Sequence, residues 1–153
     1  METKEIGAFL RERGLTVSTA ESCTGGMIAS LITRVAGSSD YFKGAVISYA
    51  VEVKERVLGV DVSDGVVSES TARQMAEGVA RVLLTDCAVA TTGVAGPGGG
   101  SAETPVGTVC MAALVGTHVR THTFHFEGDR ESVILQAADA ALGLLWEEMQ
   151  IFL

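Results

Sequence analysis

The stretch Ala20-Glu21-Ser22-Cys23-Thr24-Gly25-Gly26 decides how the chain is read. It joins a short β-prone run, Thr16 to Ala20, to an apolar helical pattern that begins at Met27. A strand that ends in a polar, glycine-containing turn and resumes as a helix aims backbone N–H groups, and the positive end of the helix dipole, at whatever lies in front. Ser22, Thr24 and Gly25 are therefore candidates for an anion or oxyanion site. The plainer alternative is that Ser22 and Thr24 only cap the helix and the two glycines only ease the turn.

Working outward, Ile6, Phe9 and Leu10 lie on one helical stripe within Thr3 to Arg13, and Gly14 follows as a C-cap. Gly26 to Val35 reads as a second helix, Phe42 to Tyr49 as a strand and Val51 to Leu58 as a short helix behind it. Ser68-Glu69-Ser70 opens a long helix with Met75, Ala76, Val79, Ala80 and Leu83 on its apolar face. Cys87 to Thr91 is a strand of small and apolar residues, the kind buried on both faces. Thr92-Gly93-Val94-Ala95-Gly96-Pro97-Gly98-Gly99-Gly100-Ser101 is too rich in glycine for helix or strand and is expected to be a loop. Val106 to Val115 and Val119 to Phe126, split by Gly116-Thr117, form an expected hairpin, and Glu127-Gly128-Asp129 opens a last helix. Strands alternating with helices, then a hairpin and a closing helix, imply one domain over residues 1–153. The expected fold is a three-layer α/β/α sandwich on a mainly parallel mixed sheet with a C-terminal antiparallel hairpin.

At 153 residues, with 47% hydrophobic residues and a positive mean hydropathy, the chain can bury one core without metal or disulfide support. A net charge of -8 and the lack of a Lys/Arg cluster argue against a nucleic-acid surface. Cys23, Cys87 and Cys110 form no C-x-x-C pair, which fits free thiols in a reducing, cytoplasmic setting. The amphipathic start from Met1 to Leu10 is unlike a signal peptide, and no apolar run approaches a membrane span.

Open α/β sheets bind ligands at the carboxyl ends of their strands, here Ser22, Tyr49 and Thr92. The loop with Gly93, Gly96 and Gly99 offers amides unobstructed by side chains, although it matches neither a P-loop nor G-x-G-x-x-G. Lys54, five residues after Tyr49, can lean over the same edge and act as a base if burial lowers its pKa. Ser39 precedes the same strand, in the turn Gly37-Ser38-Ser39-Asp40. Cys23 is an alternative nucleophile, since a helix N-terminus depresses a thiol pKa. His118 and His122 share strand parity but sit roughly 13 Å apart, too far for one metal, and His125 has the opposite parity; no metal is expected.

Further blocks are Ala36-Gly37-Ser38-Ser39 with Phe42, Leu58-Gly59-Val60, Pro105-Val106-Gly107-Thr108-Val109, and Phe126 with Gly128-Asp129-Arg130. Together with the two glycine turns, Tyr49 and Lys54, they resemble the CinA C-terminal domain family in order, from about Leu15 to Trp146. The resemblance implies a nicotinamide-nucleotide amidohydrolase, converting nicotinamide mononucleotide to nicotinic acid mononucleotide and ammonia. The companion N-terminal domain of longer members is absent from this sequence, so it is similar to the stand-alone, PncC-like form. The implied roles are Ser39 as nucleophile, Lys54 as its base and Tyr49 as an aid to proton transfer. Ser22, Thr92 and Arg130 are implied to bind or polarise substrate, and Thr24, Gly25, Gly93, Gly96 and Gly99 complete the candidate binding set. The residues alone leave Ser22 and Ser39 both open as the attacking serine.

No cofactor is implied, the partner is a small nucleotide substrate, and a homodimer is the default expectation. Where the family usually reads Tyr-Ser-Asn, this chain has Tyr49-Ala50-Val51, and Ile134 replaces a frequent arginine. A weakened or silent nucleotide-binding member of the same family is the alternative expectation.

Overall fold

A computed structural model describes residues 2–153; Met1, the first residue of the amphipathic start, lies outside them. The elements in order are α1 (Glu2–Arg13), β1 (Val17–Glu21), α2 (Met27–Thr33), a 3-10 turn (Ser38–Asp40), β2 (Phe42–Ile47), α3 (Val51–Leu58), α4 (Glu69–Leu83), β3 (Cys87–Gly93), β4 (Thr108–Val115), β5 (His118–His125) and α5 (Arg130–Phe152). The five strands make one sheet in the order β2-β1-β3-β4-β5. β1 runs parallel to β2 and β3, whereas β4 is antiparallel to both β3 and β5. The expected α/β sandwich on a mixed sheet is the fold observed.

Strand periodicity divides the core in two. Val89 of β3 and Val109, Met111 and Ala113 of β4 pack with Ile6, Leu10, Ile28 and the buried face of α5. Their neighbours Ala88, Ala90, Cys110, Ala112 and Leu114 pack with Leu58, Met75, Ala76 and Val79 on the other side. Successive side chains of a strand point to opposite faces. One run of apolar residues therefore supplies both layers, which is why β3 and β4 carry no polar alternation. β5 closes one edge with a half-exposed pattern.

Strand ends differ slightly from the expected ones: β1 extends to Glu21, β3 to Gly93, and β2 stops at Ile47, leaving Ser48 and Tyr49 free to turn into α3. Ser68 accepts from Thr71 N at the start of α4, and Asp129 accepts from Ser132 N at the start of α5, both as side-chain caps. α3 has no such cap at Ala50 and is held by packing against α4. The contact is close because Gly78 faces the Leu58 carbonyl, where a Cβ would collide with backbone.

Gly78→Ala is expected to push α3 off α4 and to lower the unfolding free energy by about 1–3 kcal/mol, the usual cost of overpacking. Gly98→Ala, whose Cβ would meet open space, is expected to stay within about 0.5 kcal/mol. Urea midpoints of the two variants measure this; equal midpoints would contradict the close α3–α4 contact.

Candidate active site

Three chain segments meet at one end of the sheet. β1 delivers Ser22 just past its last residue, β2 ends so that Ser48 and Tyr49 follow, and α3 carries Lys54 back over both. Lys54 is 1% exposed, with Nζ 3.1 Å from Ser22 Oγ and donating to the Ser48 carbonyl at 2.7 Å. Burial disfavours the charged amine and holds Lys54 below the usual lysine range. A buried amine whose charge burial disfavours, beside a buried serine hydroxyl, has the geometry that nucleophile–base chemistry requires.

Ser22 is fixed by the residue before it. Glu21 is wholly buried, and its carboxylate accepts from Thr19 Oγ1 (3.0 Å), Thr24 Oγ1 (2.8 Å), Ile28 N (2.8 Å) and Ala29 N (2.9 Å). These are the first free N–H groups of α2, so the helix start expected to receive an anion already holds one from its own chain. That corrects the reading of the turn as an open anion site. Thr24 is 3% exposed and bonded to Glu21 and Thr91, while Gly25, at φ +59, turns the chain on the surface. Neither lines the cavity. An acid directly before the serine, two residues after a threonine, was the available signal for Glu21.

Above the pair lies a cavity of about 280 Å³, lined by Ser22, Cys23, Tyr49, Lys54, Val66, Val67, Thr92 to Gly96, Gly98, Gly99 and Arg130. Gly93, Gly96 and Gly99 are thus in the wall. The N–H groups of Gly98 and Gly99 meet no acceptor among the described residues. Arg130, first residue of α5, donates to the Gly96 carbonyl at 2.7 Å and to the Tyr49 hydroxyl at 2.9 Å. Tyr49 is 60% exposed, so this pair stands at the mouth while Ser22 and Lys54 form the floor. Tyr49 makes no hydrogen bond to either floor residue, and its hydroxyl accepts from Arg130. Thr92 donates its hydroxyl to Val66 O at 2.9 Å and so has no proton to offer a ligand.

Ser39 is placed elsewhere. It is exposed in the 3-10 turn before β2, whereas Lys54 follows the other end of that strand; six residues of β2 span roughly 20 Å. Within one chain Ser39 is not the partner of Lys54, and Ser22 is. Sequence distance misled: a strand's two ends are close in number and far in space. Cys23 is also corrected, because burial pushes its thiol up to about 12 despite the nearby Lys54 amine. A larger groove of about 750 Å³ between α1, α5 and β5 contains Arg120, His122 and Glu147 but no nucleophile–base pair, and Arg120 there is bonded to Glu147 at 2.9 Å.

A family profile described as the CinA C-terminal domain matches residues 2–149. A CinA-like protein of Syntrophobacter fumaroxidans is 49% identical over 147 residues, 94% of this chain and 35% of that protein. A putative competence-damage inducible protein of Moorella thermoacetica is 43% identical over 148 residues, covering 94% and 36%. The chain thus spans about a third of the length of these curated relatives. Among solved structures, the competence/damage inducible protein CihA of Agrobacterium tumefaciens aligns at TM-score 0.92 and 39% identity, covering 97% of this chain and 93% of that one. A competence damage-inducible protein A of Klebsiella pneumoniae aligns at TM-score 0.94 and 33% identity, covering 99% and 97%.

The lowered Lys54 pKa has a direct consequence for stability. Between the folded value and the ordinary value of 10.5, the unfolded chain binds a proton that the native site refuses, so stability rises with pH across that window. Lys54→Met carries no such proton. It is expected to be more stable than the parent near about pH 7 and to lose that advantage towards about pH 10. Urea unfolding of both proteins at the two pH values measures the difference, and a pH-independent difference would mean the amine is not desolvated.

Proposed function

The chain belongs to the CinA C-terminal domain family, and we propose that it hydrolyses the carboxamide of a pyridine mononucleotide, with nicotinamide mononucleotide as substrate and Ser22 as nucleophile. The observation that carries this reading is the buried Lys54 amine 3.1 Å from Ser22 Oγ on the floor of a cavity whose mouth holds Arg130. An amide needs an activated nucleophile, donors for the oxyanion and a proton for the departing nitrogen; the site offers each.

Neutral Lys54 takes the Ser22 hydroxyl proton as Oγ bonds to the carboxamide carbon. The backbone N–H of Cys23, next to Ser22 in the cavity lining, is the donor assigned to the oxyanion. The Lys54 ammonium returns the proton to the amide nitrogen, the C–N bond breaks and ammonia leaves. Water then attacks the Ser22 ester with Lys54 again as base, and cleavage of the C–Oγ bond restores the hydroxyl. Arg130 and the glycine amides at the mouth fit the nucleotide phosphate, and Arg130 can exchange Tyr49 for it. Tyr49 is then left to position the sugar-phosphate end and takes no part in the proton transfer.

Ammonia and the deamidated mononucleotide are expected when the protein is incubated with nicotinamide mononucleotide. Ser22→Ala and Lys54→Ala are expected to lose on the order of 10³-fold or more in kcat, whereas Ser39→Ala stays within about threefold. The parent's kcat/KM is expected to rise with pH to a plateau, with an apparent pKa below that of an ordinary lysine. Release of no ammonia by the folded parent sinks the reading; loss of activity in Ser39→Ala with retention in Ser22→Ala sinks the choice of serine.

A further inference from the structure

We propose that Thr92 is a positioning residue that works through Val66, holding the Val66–Val67 segment as the apolar wall for the substrate ring. This rests on the function proposed above, because it assigns a role to the apolar part of the same cavity lining. The polar side chains that can meet a ligand are at the two ends: Ser22 and Lys54 below, Tyr49 and Arg130 above. Val66, Val67, Val94 and Ala95 supply apolar side chains to the same lining. Such walls give a sugar or phosphate no hydrogen-bond partner, while the face of a flat ring gains van der Waals contact from them.

The wall lies on a segment without helix or strand structure, so its position depends on side-chain tethers. Most of these come from α4 or its cap. Gln74 holds the Asp61 N–H and carbonyl at 2.8 and 2.9 Å, and Gly65 O accepts from Ser68 Oγ at 2.8 Å and Thr71 Oγ1 at 2.6 Å. The bond from Thr92 Oγ1 to Val66 O, 2.9 Å, is the tether that comes from the sheet. Thr92 is 1% exposed, at the strand end next to the floor. Its neighbour Thr91 points to the opposite face and meets Thr24. Adjacent threonines at the end of β3 thus fix the two sides of the site: Thr91 the turn that carries Ser22, Thr92 the wall.

The test compares Thr92→Val, which keeps the shape and removes the hydroxyl, with Thr92→Ser, which keeps the hydroxyl. With nicotinamide mononucleotide as substrate, Thr92→Val is expected to raise KM about five- to tenfold with kcat within about twofold, and Thr92→Ser to restore KM. Amide exchange at residues 64–67 is expected to accelerate by a similar factor in Thr92→Val, with β3 unaffected. A fall in kcat at constant KM would mean that Thr92 touches the reacting atoms, and unchanged KM and exchange would mean that the tether is idle; either overturns the proposal. If the parent releases no ammonia, the function above fails, and the exchange experiment still decides the tether. If Thr92→Val does not fold, Val66→Ala replaces it, with a raised KM at constant kcat expected and an unchanged KM overturning the wall.

Discussion

An amine buried without a carboxylate partner is the constraint around which this end of the molecule is arranged. Lys54 is 1% exposed, and among the described residues its hydrogen-bonding partners are the neutral oxygens Ser22 Oγ and Ser48 O. Removing an ammonium from water without an opposite charge costs several kcal/mol, so the neutral form gains in relative weight. Structure and chemistry coincide here: the burial that the fold must tolerate is the condition under which a lysine becomes a base. The amine stays in place because α3 is clamped to α4 at the Gly78–Leu58 contact, and because β1 and β2, paired in register through Glu21 and Ile47, present Ser22 and Ser48 side by side.

Glu21 supplies the complementary constraint. Its carboxylate is also fully buried, but with four donors around it, two of them helix N–H groups. Two buried ionisable groups, one preceding Ser22 in the chain and the other bonded to it, are therefore treated oppositely. The acid is saturated and serves the backbone; the amine is undersupplied and serves the cavity. The N–H groups at the start of α2 are taken by Glu21, so in the proposed function anion recognition is assigned to Arg130 and the glycine amides at the mouth, away from Ser22. That separation suits a substrate whose amide and phosphate are at opposite ends.

The fold was largely legible because its signals are local: alternating helix and strand periods, caps at Ser68 and Asp129, and a two-residue hairpin loop at Gly116-Thr117. The cavity was legible as a set of strand ends, and Ser22, Tyr49, Lys54, Thr92 and Arg130 all line it. What the strand ends did not reveal was which groups already have partners, although Glu21 stood directly before the serine as a local signal. Thr24 and the α2 amides look available in the sequence and are taken by Glu21; Thr92 looks like a donor and is taken by Val66. Hydrogen-bond partners 26 or more residues away carry no local pattern, as for Thr92 with Val66. Ser39 shows the related error, since its turn sits one strand length from Lys54 and on the wrong side of β2.

Ala50 and Val51, which stand where a serine and an asparagine are usual in the resemblance, bear on whether this chain has lost its chemistry. Ala50 is the N-cap of α3, extended and without a side-chain cap, and Val51 opens the helix; neither lines the cavity. A serine at an N-cap satisfies a free helix N–H and contributes roughly 1 kcal/mol relative to alanine. The departure therefore weakens the first turn of the helix that carries Lys54, and does not remove a ligand from the site. The burial of Lys54, its distance from Ser22 and the clamp at Gly78 depend on the later turns of α3 and on α4. The chain gives up a side-chain cap at the edge of the site, while Lys54 stays buried and within 3.1 Å of Ser22 Oγ.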